Sequence, residues 1–171
     1  MNVFLLDTDP LASVSCYADD HVAFVTVGEG RAPIRSCKMA IEAVQLLSTA
    51  RVANGLSAPY KPTHAHHPWA VACGVRFIYR LVEQYAWAML LEHEYRTGKT
   101  LPTVEATLRA CGDSSGIPEG RPRIPICTNA ATVWTTDLAF AISEYRRYYA
   151  TVKVPKMPRF TGRECPEWAR S

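Results

Sequence analysis

Acidic residues and a histidine lie close together near the start of the chain: Asp7, Asp9, Asp19, Asp20 and His21. A carboxylate beside a histidine can hold one imidazole tautomer, which leaves the other ring nitrogen available as a general base. Asp20 and His21 are therefore candidate catalytic residues. An equally weighted structural alternative is that Asp9 caps a helix while Asp19 and Asp20 are solvated acids of a turn.

A second set of polar residues follows helical spacing. Lys38, Glu42, Gln45 and Thr49 are separated by four, three and four positions, so in a helix they form one stripe. Such stripes usually face solvent. Here the surrounding segment is apolar and rich in small residues, as in a buried helix, and a polar stripe in that setting lines a cavity or pairs internally. Lys38, Glu42 and Gln45 therefore become candidate catalytic residues.

Three histidines, His64, His66 and His67, fall within four positions of a proline-rich segment. Imidazole is a common metal ligand, but no cysteine or carboxylate stands nearby at a characteristic zinc spacing, so no metal ligand is assigned. Lys61, His64 and His67 would suit a phosphate, because they are adaptable donors just before a predicted helix start. A surface loop with a capping role is the structural alternative.

Cations alternate with aromatic residues towards the C-terminus. Residues 144–171 contain seven Lys or Arg against three Glu, in a chain whose net charge is only +3. Cations meet phosphate oxygens and rings stack on unpaired bases, so this segment is a candidate DNA-binding surface. Its candidate residues are Tyr145, Arg146, Arg147, Tyr149, Lys153, Lys156 and Arg159. A packed amphipathic helix with its tyrosines partly in the core is equally compatible with the pattern.

The hydrophobic periodicity predicts a mainly α protein, in which residues 1–171 form a single compact helical domain. A chain of 171 residues with 48% hydrophobic content can bury one core but is short for two. We expect a basic, proline-rich tail at 153–171 to pack on this domain. The other predicted elements are a short strand at 2–6, a short helix ending near 17, a small hairpin or excursion at 21–35, helices at 37–53, 69–96 (with a break near Gly74), 102–110 and 137–152, and a long loop at 111–128.

Several common classes of protein are not indicated. The six cysteines form no CxxC pair and no apolar leader is recognisable, which favours a reduced, cytoplasmic setting. The apolar runs are shorter than the roughly 20 residues of a membrane span. A glycine-rich phosphate loop, a GxSxG elbow and a zinc deaminase signature are all missing from the sequence.

Seven segments together carry a family resemblance that spans nearly the whole chain. They are FLLDTDP (4–10), DDHV (19–22), KMAIEAVQLLSTA (38–50), YKPTHAHHP (60–68), EYRTGKT (94–100), EYRRYY (144–149) and PEW (166–168). In these motifs the chain resembles a bacteriophage family of helical DNA-modifying enzymes, the amino acid:DNA transferases of thymidine hypermodification, also described as glutamyl or putrescinyl thymine pyrophosphorylases.

The resemblance implies a reaction on DNA that carries pyrophosphate-activated 5-hydroxymethyluracil, in the cytoplasm of an infected bacterial host. An amino acid or amine donor would displace pyrophosphate from the methylene carbon of the base, which must leave the duplex to be reached. No cofactor is indicated other than a divalent cation accompanying the pyrophosphate. Lys38, His64 and His67, helped by Arg35, would stabilise the leaving group.

The remaining roles concern the incoming amine and the base. Glu42, or His21 held by Asp20, would accept a proton from the amine, and Gln45 would bind a carbonyl edge of the flipped base. The chain departs from the family pattern in two places: residues 23–37 separate motifs that are contiguous in the family, and Asp20 stands where a lysine is expected. Lys38 or Arg35 would supply the missing cation.

Two other functions use the same residues differently. A hydrolase or glycosylase acting on a modified base would use the acids and histidines to activate water. A non-catalytic phage DNA-binding or host-inhibiting module would need only the C-terminal cations. The transferase prediction requires that the early acids and His21, the stripe and the histidine loop converge on a common site.

Overall fold

Helices make up most of the structure, a computed structural model that describes residues 3–18, 21, 37–128, 131–156 and 160–170. The mainly α fold predicted from the sequence is confirmed. In chain order the elements are α1 (Pro10–Ser15), α2 (Lys38–Ala53), α3 (Pro68–Ala72), α4 (Arg76–Thr97), α5 (Pro102–Cys111), β1 (Ile124–Cys127), β2 (Thr132–Thr135) and α6 (Leu138–Tyr148). A π turn at Tyr149–Lys153 and 3₁₀ turns at Val154–Lys156 and Glu167–Ala169 follow.

Helices α2 and α4 pack against each other and form the centre of the core, with α1 and α5 against α4. Alanines at positions 40, 43 and 50 of α2 are buried, and their small side chains let the neighbouring helices approach closely. Helix α2 ends at Ala53 with Asn54 as its C-cap, and Gly55 follows with a φ of +73° that favours glycine. The predicted end of this helix is therefore confirmed. Within the described part of the chain, no helix is long and apolar enough to cross a membrane.

The N-terminal segment is extended and buried but does not pair as a strand. Its backbone bonds to side chains instead, as where the Leu6 N–H donates to the Ser13 hydroxyl (2.8 Å). Asp9 caps α1 by accepting from the Ala12 N–H (2.7 Å), and Pro10 occupies the first turn, as predicted. The predicted excursion at 21–35 lies outside the described residues except for His21.

Two further regions differ in how well the sequence predicted them. The break in the long helical pattern occurs where predicted, between the end of α3 at Ala72 and the start of α4 at Arg76. The end of the predicted loop at 111–128 is instead strand β1, which pairs antiparallel with β2 so that Ile124 lies opposite Thr135. β1 packs against α3 and α6 and thereby helps to seat α6 on the core.

The C-terminal segment 160–170 is held against α4 by a buried ionic group, here called the Glu92 clamp: Glu92, Arg96 and Arg163. The Glu92 carboxylate accepts from Arg96 Nε (2.6 Å) and from Arg163 Nη2 (2.8 Å). Arg96 also donates to the carbonyls of Ser15 (3.0 Å) and Tyr17 (2.7 Å) at the end of α1. The clamp therefore joins the N-terminal helix, α4 and the tail.

Candidate functional site

His21 lies among aromatic rings from both ends of the chain. Its ring stacks on Phe4, with centroids 5.4 Å apart and planes 29° apart. Its Nδ1 lies 2.8 Å from the hydroxyl of Tyr149, which also accepts from the Ala18 N–H (2.7 Å). Only 8% of His21 is exposed. The π turn after α6 thus fixes the position of the first candidate catalytic residue.

Burial keeps the imidazole of His21 uncharged. It lowers the pKa of His21 from its ordinary value near 6.5 to about 3, and the positive charges of Lys153 and Lys38 act in the same direction. At neutral pH the ring is therefore neutral. Protonation of the ring would add a positive charge close to the ammonium groups of Lys38 and Lys153.

Lys38 and Glu42 occupy the first turns of α2, directly after Cys37, whose thiol contacts the His21 carbonyl (3.7 Å). Their side chains form an i,i+4 pair, but the Lys38 Nζ to Glu42 Oε1 distance is 3.6 Å, longer than a good charge-assisted hydrogen bond. The Lys38 side chain is 62% exposed, whereas that of Glu42 is only 15% exposed. The carboxylate is thus largely enclosed while its partner reaches solvent, so the pair holds neither group tightly.

Lys153, the last residue of the π turn, approaches the same place from the C-terminal side. Its Nζ lies 5.5 Å from the ring centroid of Phe4 and 5.8 Å from that of Tyr148, within range for cation–π contact. Burial lowers the pKa of Lys153, the charges of Lys156 and Lys38 lower it further, and Glu42 opposes them. Lys153 therefore interacts electrostatically with both Lys38 and Glu42.

We call His21, Lys38, Glu42 and Lys153 the His21 cluster. It combines a neutral imidazole, an enclosed carboxylate and two ammonium groups, so its positive charges outnumber its negative ones. Such a set can stabilise an anion or a leaving group while the carboxylate accepts a proton. The structure therefore brings together three of the residues predicted as catalytic and one predicted to bind DNA.

The other end of the polar stripe has a structural role. Gln45 is half-buried one turn beyond Glu42, and Thr49 is buried. The Thr49 hydroxyl donates to the Gln45 carbonyl (2.7 Å) and accepts from the Thr63 N–H (2.8 Å). The stripe thus runs from an exposed lysine to a threonine that anchors the next loop.

That loop carries the histidines and is fixed at the far end of α2. Thr49 lies eleven positions after Lys38, about 16 Å along a helix axis. His64 is exposed, and its Nδ1 accepts from the N–H of exposed His66 (3.2 Å). His67 caps α3 by accepting from Trp69 N (3.2 Å), as the structural alternative expected.

The loop that carries Lys61, His64 and His67, three of the predicted phosphate-binding residues, is therefore anchored at the opposite end of α2 from Lys38. In the described part of the chain, neither exposed Lys61 nor His64 forms a hydrogen bond or ion pair with that cluster. Nor do the described residues contain a group of three or more His, Cys, Asp and Glu that could hold a metal ion.

The tyrosines predicted to contact DNA require a correction. Tyr145 and Tyr149 are completely buried, so their rings cannot stack on a base in this structure. Tyr145 donates to the Pro125 carbonyl (2.6 Å), and Tyr149 holds His21. A tyrosine has an apolar ring and a polar hydroxyl, so it suits both a protein core and an interface. The sequence alone therefore could not distinguish a packed helix from a DNA-binding surface. Of the three tyrosines at 145–149, Tyr148 is the half-buried one.

The predicted DNA-binding arginines are engaged within the protein. Arg146 donates to the Leu6 carbonyl (2.6 Å) and pairs with Asp7 (3.1 Å). Arg147 pairs with Glu144 (2.6 Å). By contrast, no salt bridge to Lys153 or Lys156 is formed by any residue that the structure describes. Among the predicted DNA-binding cations that the structure describes, Lys153 and Lys156 are therefore the ones available to an external anion.

Three predicted site residues, Asp20, Arg35 and Arg159, lie outside the described residues. The predicted site residues did not include Phe4 and Tyr148, whose rings lie within cation–π range of Lys153; only Tyr148, next to two arginines in the sequence, carried a signal that could have found it. Comparisons of the chain with protein-family models, with curated proteins and with solved structures find no match. The function must therefore be inferred from the chemistry of the site and from the motifs of the sequence.

Proposed function

We propose that the protein is a DNA-modifying transferase in which an amino acid or amine displaces pyrophosphate from activated 5-hydroxymethyluracil. One observation carries the proposal: an enclosed carboxylate, Glu42, pairs with Lys38 and lies within electrostatic reach of Lys153, and the same two lysines act on the neutral imidazole of His21. This set supplies the base and the anion-stabilising charges that such a displacement needs. The sequence motifs supply the substrate class.

The displacement balances with these groups alone. The donor arrives as an ammonium and loses a proton to the Glu42 carboxylate. The free amine nitrogen then forms a bond to the methylene carbon of the base, while the bond from that carbon to the pyrophosphate oxygen breaks. Pyrophosphate leaves with the electron pair, and the proton on Glu42 passes to solvent. A divalent cation could accompany the leaving group.

Glu42, rather than His21, is the base in this proposal. The Nδ1 of His21 already bonds to Tyr149, and protonation of its ring would place a new positive charge near Lys38 and Lys153. Proton transfer to Glu42 instead removes a negative charge. His21 then acts as a neutral hydrogen-bonding group that helps to shape the site.

The substrate base must reach the cluster from outside the helix stack. A pocket cannot surround its methylene carbon inside a duplex, so the nucleotide is flipped out or single-stranded. Gln45 lies three positions after Glu42 on the same helix and is half-buried. In this proposal its amide binds a carbonyl edge of the base.

The direct test uses purified protein, DNA carrying pyrophosphorylated 5-hydroxymethyluracil, and glycine, serine, glutamate or putrescine. Mass spectrometry of the released nucleosides should detect an amine adduct, with one pyrophosphate formed per adduct. E42Q should lower the rate by about 10²–10⁴-fold while DNA binding persists. E94Q, at an exposed position of α4, is the matched control and should leave the rate unchanged.

The other outcomes identify the rival functions. Release of free base or formation of abasic sites without an adduct would identify a hydrolase or glycosylase. If the protein binds DNA but forms no product with any amine, and E42Q binds DNA as the wild type does, the protein is a binding module and the transferase proposal is refuted.

A further inference from the structure

Helix α6 continues directly into a π turn that ends at Lys153. Residues Tyr149–Lys153 form a π turn, and the Val154 N–H donates to the Tyr149 carbonyl, five positions back. In an α-helix, five positions advance the chain by about 500°, which would place Lys153 about 140° around the axis from Tyr148. The wider π turn brings the fifth residue back near the first. It thereby places the Lys153 ammonium over the rings of Tyr148 and Phe4.

The π turn also concentrates positive charge. Lys153 lies over Phe4 (5.5 Å), Phe4 stacks on His21 (5.4 Å), and the His21 carbonyl accepts from the thiol of Cys37, the residue before Lys38. Lys156 follows Lys153 by one 3₁₀ turn, and of the described carboxylates Glu42 acts on Lys153. Among the residues that the structure describes, three ammonium groups therefore meet one carboxylate. Like charges brought together in a half-buried place repel each other, and a multiply charged anion relieves that repulsion.

We propose that Lys38, Lys153 and Lys156 form a binding site for a diphosphate group, assembled by the π turn. The inference rests on the proposed function, because pyrophosphate is its leaving group, and it moves the phosphate site away from Lys61 and the histidine loop. A diphosphate carries several negative charges, so it matches the surplus of lysine charge better than a carboxylate does. The nearby arginines are already neutralised, Arg146 by Asp7 and Arg147 by Glu144.

The test measures binding of inorganic pyrophosphate to the full chain by calorimetry, with inorganic phosphate as the weaker comparison ligand. K153M should weaken pyrophosphate binding by about tenfold or more, as expected for loss of a charge-assisted contact. K156M, at an exposed position, should weaken it in the same direction. K61M removes an equal charge from the far end of α2 and should bind as the wild type does.

A second variant separates the position of the lysine from the net charge. V152K/K153V keeps composition and charge but moves the ammonium by one position, and so away from the rings of Tyr148 and Phe4. It should weaken pyrophosphate binding as much as K153M does. Circular dichroism and thermal unfolding of each variant would show that the fold is retained.

The site is refuted if wild-type protein does not bind pyrophosphate, if K153M and V152K/K153V bind it normally, or if K61M weakens binding equally. These outcomes are separable from those of the transferase test. Pyrophosphate bound through Lys153 without adduct formation would leave the site standing and refute the transferase function. If the wild type forms the adduct and K153M binds pyrophosphate as tightly as the wild type does, the transferase function stands and the diphosphate site is refuted.

Discussion

The Glu92 clamp and the His21 cluster both place a carboxylate among cations from distant parts of the chain, yet they are built differently. In the clamp, Glu92 accepts from two arginines at 2.6 and 2.8 Å. In the cluster, the Lys38 to Glu42 distance is 3.6 Å and a neutral histidine lies alongside. Every charge of the clamp has a close partner, whereas the cluster carries a surplus.

The difference separates structural from functional use of polar groups. Burial alone would raise the pKa of Glu92, but hydrogen bonds from Arg163 and Arg96 outweigh it and lower that pKa. A fully paired group like this fixes the fold and leaves nothing for a ligand. Incomplete pairing, as in the His21 cluster, leaves charge that a substrate can satisfy, and perturbed groups of this kind concentrate at functional sites.

The largest effect is expected from breaking the clamp. E92Q leaves the buried Arg96 guanidinium facing a neutral amide, so it should lower the free energy of unfolding by about 3–5 kcal/mol. Urea denaturation followed by circular dichroism measures this loss. E105Q, which breaks an exposed pair with Arg109, is the control and should lose under about 1 kcal/mol. Equal losses in the two variants would contradict the structural role of the clamp.

Acidification should destabilise the fold, because His21 is held neutral in the folded protein. Because its pKa is about 3 in the fold and near 6.5 when unfolded, only the unfolded chain takes up this proton between those values. The stabilisation that neutral His21 provides is therefore fully present above pH 6.5. On acidification the free energy of unfolding falls by at most about 1.4 kcal/mol per pH unit.

The matched variant isolates this contribution. H21Q removes the titrating ring but keeps every carboxylate, so its loss of stability between pH 6.5 and pH 4.5 should be about 2 kcal/mol smaller than that of the wild type. Urea denaturation across this pH range provides the measurement. Parallel pH profiles for the two proteins would show that His21 is not held neutral.

The smallest effect on stability is expected within the cluster itself. E42Q is the same substitution as E92Q, but the pair it breaks is long and its lysine is exposed, so the free energy of unfolding should change by less than about 1 kcal/mol. The same urea denaturation applies, with E92Q as the contrasting variant. A loss as large as that of E92Q would make Glu42 a structural residue and remove the contrast between the two regions.

Helical spacing and turn residues made much of the fold predictable. The periodicity of α2, its end at Asn54 and the Asp9 cap are local features that the sequence states directly. The β1–β2 hairpin was missed, because its strands have four residues each and β1 follows a stretch rich in glycine and proline. Short strands of this kind are specified by their packing rather than by local pattern.

The candidate site was only partly predictable for a related reason. His21, Lys38 and Glu42 were recognised from residue type and spacing, but Lys153 looked like a DNA contact in the tail. Its place depends on the π turn, which leaves no periodic signature in five residues. The histidine loop was placed in the site because its residue types suit phosphate, whereas the Thr49 to Thr63 bond fixes it elsewhere.

Tyr149 has a consequence for the order in which the protein matures. Its hydroxyl bonds to Ala18 and His21, and its ring contacts Trp168. A ribosome releases the early segment long before the late one, and domains begin to fold from the N-terminal side during synthesis. The Nδ1 of His21 therefore lacks its hydroxyl partner until residue 149 has emerged, so a nascent or truncated chain without Tyr149 should lack the assembled His21 cluster.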